Sequence, residues 1–87
     1  MLETIKLALR YNNNIFDDEL RVYIEACKND LIHGGVKENK ISDKDESIRA
    51  IVLSYCKWFL NFEGKGEAWE KIYRSLKASI VLDSRYK

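Results

Sequence analysis

Two short groups of acids are the first residues whose types and spacing could do chemistry: Asp17, Asp18 and Glu19, then Asp43, Asp45 and Glu46. Neighbouring carboxylates can hold a divalent cation or share acid–base work. Asp17, Asp18 and Glu19, however, open an amphipathic pattern, where acids complement the positive end of a helix dipole. Asp43, Asp45 and Glu46 begin like a D-x-D calcium loop but lack its glycine and its distal glutamate. Asp43 with Glu46 three residues on fits a capping box instead. Soft metal ligands are few. Cys27, Cys56 and His33 show no CxxC or HxxxH spacing. Both cysteines fall within apolar helical patterns and are expected as reduced core thiols. His33 stands beside Gly34 at a helix end, where an imidazole suits the dipole. There is no glycine-rich phosphate loop, nucleophile elbow or HExxH. No catalytic residue, metal or cofactor is expected, and the chain does not read as an enzyme.

Aromatic and basic residues are the second kind of candidate. Tyr55, Trp58, Phe59, Phe62, Trp69 and Tyr73 could stack bases, but their helical spacing and sparse basic neighbours favour core packing. Trp58 falls off the main apolar stripe, as a tryptophan anchoring a protein–protein contact would. Lys71, Arg74 and Lys77 form the one basic stripe, and Arg85, Tyr86 and Lys87 follow at the C-terminus. The polar loop Lys37, Glu38, Asn39 and Lys40 is a further candidate for partner contact, since long polar loops commonly carry recognition.

Helices must position all of these. Leu2, Ile5 and Leu9 mark a short first helix, which the run Asn12-Asn13-Asn14 is expected to stop. Leu20, Tyr23, Ile24, Cys27 and Leu31 mark a second, opening at Asp17 and ending at Gly34-Gly35. Val36 to Ser42 reads as a loop. A third helix runs through Ile48, Ile51, Val52, Tyr55, Phe59 and Phe62, and Leu53, Cys56, Trp58 and Leu60 widen its apolar surface. Such a helix is expected to be central. After the break at Glu63 to Gly66, the last helix carries Trp69, Ile72, Tyr73, Leu76 and Ile80. From residue 81 the pattern decays into a polar tail, 81–87. No strand pattern survives. The expectation is an all-α compact bundle of about four helices, the first short, forming one domain over 1–87. The loop between the second and third helices is too long for a helix-turn-helix, and neither helix has a basic recognition face.

Size and charge bound the function. A chain of 87 residues buries a modest fraction of its surface and is marginally stable alone. With disulfide and metal set aside, oligomerisation is the remaining route to stability. No run approaches the roughly 18 to 20 apolar residues that span a bilayer, and Leu2 to Leu9 is too short, and too interrupted by Glu3 and Lys6, for a signal-peptide core, so a soluble protein with no membrane partner is expected. A net charge of +1 argues against a strongly basic nucleic-acid binder. Residues 1–47 hold 7 basic and 10 acidic side chains, and residues 48–87 hold 8 basic and 4 acidic. That asymmetry suits head-to-tail packing of identical subunits.

The order of the elements carries a resemblance. Leu2, Lys6 and Leu9-Arg10 lead into Asp17-Asp18-Glu19-Leu20, then Ile24-Glu25-Ala26-Cys27-Lys28 and Asp30-Leu31. A glycine break precedes Ile48-Arg49-Ala50-Ile51, Cys56-Lys57-Trp58 and Phe62, and the last helix reads Trp69, Tyr73, Leu76-Lys77. From Leu2 to Ile80 this is similar to the head–tail connector (head-completion, DNA-packaging) proteins of tailed bacteriophages. The chain has Glu46-Ser47 where many relatives carry a proline, and it stops at Lys87 where some continue. The resemblance implies a structural virion protein of a phage or prophage, assembled in the host cytoplasm and sited at the capsid–tail neck. It implies a closed ring of about twelve subunits below the portal protein, touching the next neck or tail-completion protein. Genomic DNA would cross its channel without sequence-specific binding. On this reading Trp58, Lys71, Arg74, Lys77, Arg85, Tyr86 and Lys87 are expected to contact a neighbouring subunit or the portal. The alternative is a small helical regulatory or nucleic-acid-binding module of a mobile element.

Overall fold

Helix α1 (Leu2–Leu9) is stopped by Arg10, which takes a left-handed conformation at φ 61°. Tyr11 N–H then donates to the Lys6 carbonyl, so the chain turns before the asparagine run expected to stop it. The asparagines shape the approach to the second helix instead: Asn13 Oδ1 accepts from Ile15 N–H, and Asn14 Oδ1 accepts from Lys6 Nζ at 2.9 Å. The computed structural model describes all 87 residues.

Helix α2 (Asp17–His33) begins and ends where its acids and glycines place it. Gly35, at φ 107°, supplies the left-handed residue that lets Val36 N–H reach the Leu31 carbonyl. The loop after it is ordered: a 3₁₀ turn spans Glu38–Lys40, and Val36 is buried. Helix α3 (Glu46–Phe59) starts later than a cap at Asp43 would put it. Asp45 is the capping residue, its Oδ1 accepting from Ser47 and Ile48 N–H at 2.8 and 3.2 Å. Asp43 lends its carbonyl to Arg49 instead.

α3 ends at Phe59, so Phe62 lies beyond it in a 3₁₀ turn (Phe62–Gly64) entered through left-handed Asn61. Asn61 Oδ1 accepts from Gly66 N–H at 2.9 Å, where helix α4 (Gly66–Leu82) starts. A Cβ on Gly66 would stand 2.8 Å from that oxygen, so only glycine lets the two helices turn this closely.

The four helices form an all-α bundle around α3, which packs against each of the others. Ile48, Ile51, Val52 and Cys56 of α3 are buried against Ile5 and Leu9, Leu20, Ile24, Cys27 and Leu31, and Tyr73 and Ile80. Cys27 and Cys56 are both wholly inside, and burial pushes each thiol up to about 12. Ile72 departs from the expected buried stripe of α4 and is 42% exposed. The seam that packs is narrower, repeating through Trp69, Tyr73, Leu76 and Ile80, and Ile72 lies one step around the helix.

The tail is the largest departure from the sequence reading. Residues 83–87 fold back as a 3₁₀ turn (Ser84–Tyr86) rather than trailing away. Tyr86 is buried, its hydroxyl donates to Asp45 Oδ2 at 2.7 Å, and its carbonyl accepts from Lys37 N–H at 2.7 Å. A single aromatic residue among polar ones has no period to betray it. Its partner is the carboxylate that caps α3, 41 residues back.

Candidate contact surface

Lys6 fixes the start of α2. Its ammonium is buried, donates to Asn14 and lies 2.9 Å from Asp17 Oδ1 as a close ion pair that is not aligned as a hydrogen bond. Asp17 is thereby neutralised, whereas Asp18 and Glu19 stay in water. The acidic group therefore divides into one structural carboxylate and two exposed ones, of which Asp18 pairs with Arg21 at 3.1 Å.

At the far end of α2, Asp30 organises a groove between α2 and α4. It accepts from the Tyr73 hydroxyl and from Lys77 Nζ, the latter at 2.8 Å. Burial alone would raise the Asp30 carboxyl, but the hydrogen bonds from Lys77 and Tyr73 outweigh it and hold the group below the ordinary carboxylate range. The Tyr73 hydroxyl is pushed the other way, first by burial and then by its bond to that carboxylate.

Tyr55, Trp58 and Tyr73 give the groove an aromatic floor, and Phe59 extends the cluster beyond it. Tyr55, Trp58 and Phe59 share one face of α3 at i, i+3 and i+4. Phe59 stacks on Tyr23 at 5.6 Å between centroids, Tyr55 meets Tyr73 edge-on at 5.1 Å, and Trp58 lies 5.9 Å from Tyr73. Arg74 rests over the Trp58 ring at 5.5 Å and pairs with Glu70 at 2.8 Å. The expectation that these aromatics fill the core holds for Tyr73 alone among the six. Tyr55, Trp58, Phe62 and Trp69 are half-buried, and Phe59 is 44% exposed. They roof the core and leave a surface open. Of the six, Tyr55, Trp58 and Tyr73 face the groove, a space of about 430 Å³ that Ala26, Asn29 and His33 also line.

The structure thus brings together three of the expected contact residues, Trp58, Arg74 and Lys77, and separates the rest. Lys71 is exposed outside the groove. Lys37, Glu38, Asn39 and Lys40 lie exposed on their turn. Arg85 is exposed and forks onto Asp83, its closest nitrogen at 2.6 Å, and the hydrogen bonds from Arg85 hold that carboxylate down at about 2. Lys87 is exposed, whereas Tyr86 faces its own subunit.

Chemically, the groove can bind but has little to react with. No three His, Cys, Asp or Glu side chains converge anywhere in the fold. No helix is long and apolar enough to cross a membrane. An aromatic floor with an arginine over a tryptophan is a composition enriched in protein–protein contacts.

The family model described as "Phage connector protein" matches residues 1–87, the entire chain. The chain belongs to the phage connector family. It is a structural, all-α member of the head–tail connectors of bacteriophages. Nothing among curated proteins or solved structures matches it. For a connector, which works by joining other proteins, an exposed groove of this composition is the feature to explain.

Proposed function

We propose that this connector protein assembles as a ring of about twelve copies beneath the portal of a phage head. The ring extends the DNA channel and presents a platform to the next neck or tail-completion protein, so its place in the virion is the capsid–tail neck. Its role is structural rather than enzymatic. The observation that carries the reading is the match to the connector family over the whole chain. The groove supports it by supplying an open recognition surface on a protein too small to bury all of its aromatics. Trp58, Arg74 and Lys77 contact a neighbouring subunit there, and Lys71, Arg85 and Lys87 with the turn Lys37–Lys40 form the outer contacts to subunit or portal. Tyr86 contributes by holding Arg85 and Lys87 in place.

The electrostatics fit a channel that lets DNA slide. Lys77 is paired with Asp30, Arg74 with Glu70 and Arg85 with Asp83. With a net charge of only +1 over the chain, the surface as a whole attracts a phosphate backbone weakly, so DNA is passed rather than gripped. The same near-neutral charge argues against a strongly basic nucleic-acid-binding module. The test is to mix the purified protein with the portal protein encoded beside it and to record native mass and negative-stain images. A ring of added density on the portal is expected. No association across a salt and concentration series, together with salt-sensitive retention on DNA, would overturn the reading in favour of the nucleic-acid module.

A further inference from the structure

Tyr86 touches the loop between α2 and α3 at both of its ends. Its carbonyl accepts from Lys37 N–H at 2.7 Å, and its hydroxyl donates to Asp45 Oδ2 at 2.7 Å. Between those points nothing is buried: residues 37–45 are exposed or half-buried throughout. Their other ties are Ile41, half-buried against the core, and Asp43, which stands 3.7 Å from the Met1 ammonium and lends its carbonyl to Arg49. The strap that delivers Tyr86 is as lightly held. Of residues 83–87 only Tyr86 is buried, and the turn is braced from within, Asp83 accepting from the Arg85 and Tyr86 amides. Two segments distant in sequence thus share one buried anchor, and neither buries another residue.

We infer that loop 37–45 and strap 83–87 form one releasable lid, stapled by Tyr86. Its fixed points are buried Val36 after left-handed Gly35, and extended Asp83 at the end of α4. When Tyr86 leaves, both ends of the loop are freed in one step and the strap loses its only buried residue. The first turn of α3 loosens with them. The Asp45 carboxylate is a rigid plane whose Oδ1 caps Ser47 and Ile48 at 2.8 and 3.2 Å while Oδ2 holds Tyr86, so one orientation serves both jobs. Segments with few buried contacts open as cooperative units, at a free energy below that of global unfolding. What lies beneath is apolar: Ile51, Leu76 and Ile80 line the same cavity, about 410 Å³, as Asp83, Arg85 and Tyr86. Lifting the lid uncovers that seam between α3 and α4. A pull on Arg85 is therefore felt at Lys37–Lys40, and the reverse. All of these contacts lie within one chain, so the lid operates whether or not the ring forms.

Amide exchange followed by NMR on the whole protein tests this at Lys37, Ile41 and Ile48, whose N–H groups bond to Tyr86, Glu38 and Asp45 in turn. Tyr86→Phe keeps the ring and loses the hydroxyl. Asp45→Ser keeps a good helix cap and loses the oxygen that Tyr86 needs. Tyr73→Phe loses a hydroxyl bonded to a carboxylate elsewhere in the bundle, and so reports general loss of stability. Tyr86→Phe should speed exchange at all three amides by a similar factor, about tenfold for a lost bond to a charged group. Tyr73→Phe should leave them near wild type. The double variant Asp45→Ser/Tyr86→Phe should be no faster at Lys37 than either single variant, because both remove the same bond. Acceleration confined to one of the amides, equal acceleration in Tyr73→Phe, or none at all would each overturn the lid, as would factors that multiply in the double variant.

Discussion

Tyr73→Phe removes one oxygen from the centre of the molecule, and its cost can be worked from the surroundings. The ring is 2% exposed and stays packed in the variant. What is lost is the hydroxyl's hydrogen bond to the Asp30 carboxylate. A hydrogen bond to a charged group is worth about 1.5–3 kcal/mol. Asp30 keeps Lys77 at 2.8 Å and its side chain remains 41% exposed, so water takes part of the vacated place. The lower end, about 1.5 kcal/mol, is therefore expected. In a domain of this size about 1 kcal/mol moves Tm by about 4–8 °C, so the variant should melt about 6–12 °C below wild type at neutral pH. The pH dependence has a definite sign. Because the folded Asp30 carboxyl is held below its ordinary value, its stabilisation is present above the ordinary carboxylate pKa of about 3.9 and is lost as pH falls through the lower folded value. The Tm gap between wild type and Tyr73→Phe should then narrow below about pH 4. Melts followed by circular dichroism at neutral and acid pH measure both. A variant melting within about 1 °C of wild type at neutral pH, or a gap that widens in acid, would refute the account.

Three further outcomes are expected. Tyr86→Ala should cost about 2 kcal/mol, below the usual 3–5 for a buried aromatic because water can enter at the chain end, and should speed hydrogen exchange at the Lys37 amide; urea melts and exchange rates check it. Cys27 and Cys56, with burial holding both thiols near 12, should resist a disulfide reagent at mildly alkaline pH in the native protein and react fully in denaturant, as a thiol titration will read. Gly66→Ala, normally favourable inside a helix, should destabilise by about 1–3 kcal/mol in a denaturant titration, since its Cβ would meet Asn61 Oδ1 at 2.8 Å and the Trp58 carbonyl at 3.1 Å.

The helices themselves were legible because each one buries a stripe at helical spacing. Leu20, Ile24, Cys27 and Leu31 are all inside, as are Ile48, Ile51 and Val52. What periodicity missed was fixed by contacts distant in sequence. Asp43 and Asp45 both suit a cap by type, and the choice falls to Asp45 because the turn closed by Asp45 N–H on the Ser42 carbonyl places it at the helix start. Asp30 looks like a polar residue beside Leu31, and only the approach of α4 makes it the partner of Tyr73 and Lys77. The groove was half visible. Trp58 stood off its stripe, and Arg74 and Lys77 formed a basic face, but their convergence is tertiary. A closer reading of Tyr55 and Trp58 as a face of their own would have found the part of the floor that α3 supplies.

The latch between Tyr86 and the 37–45 segment has a consequence for how the protein is made. On a ribosome the chain emerges from its N-terminus, and the α3 cap waits for a partner 41 residues further along. Until then Asp45 holds its helix without Tyr86, and the Lys37 amide bonds to water. Helical bundles otherwise close through local contacts that form quickly, so this pairing should be among the last native contacts to form. Arg85 and Lys87, which the same turn orders, should take their native positions only when synthesis is nearly complete.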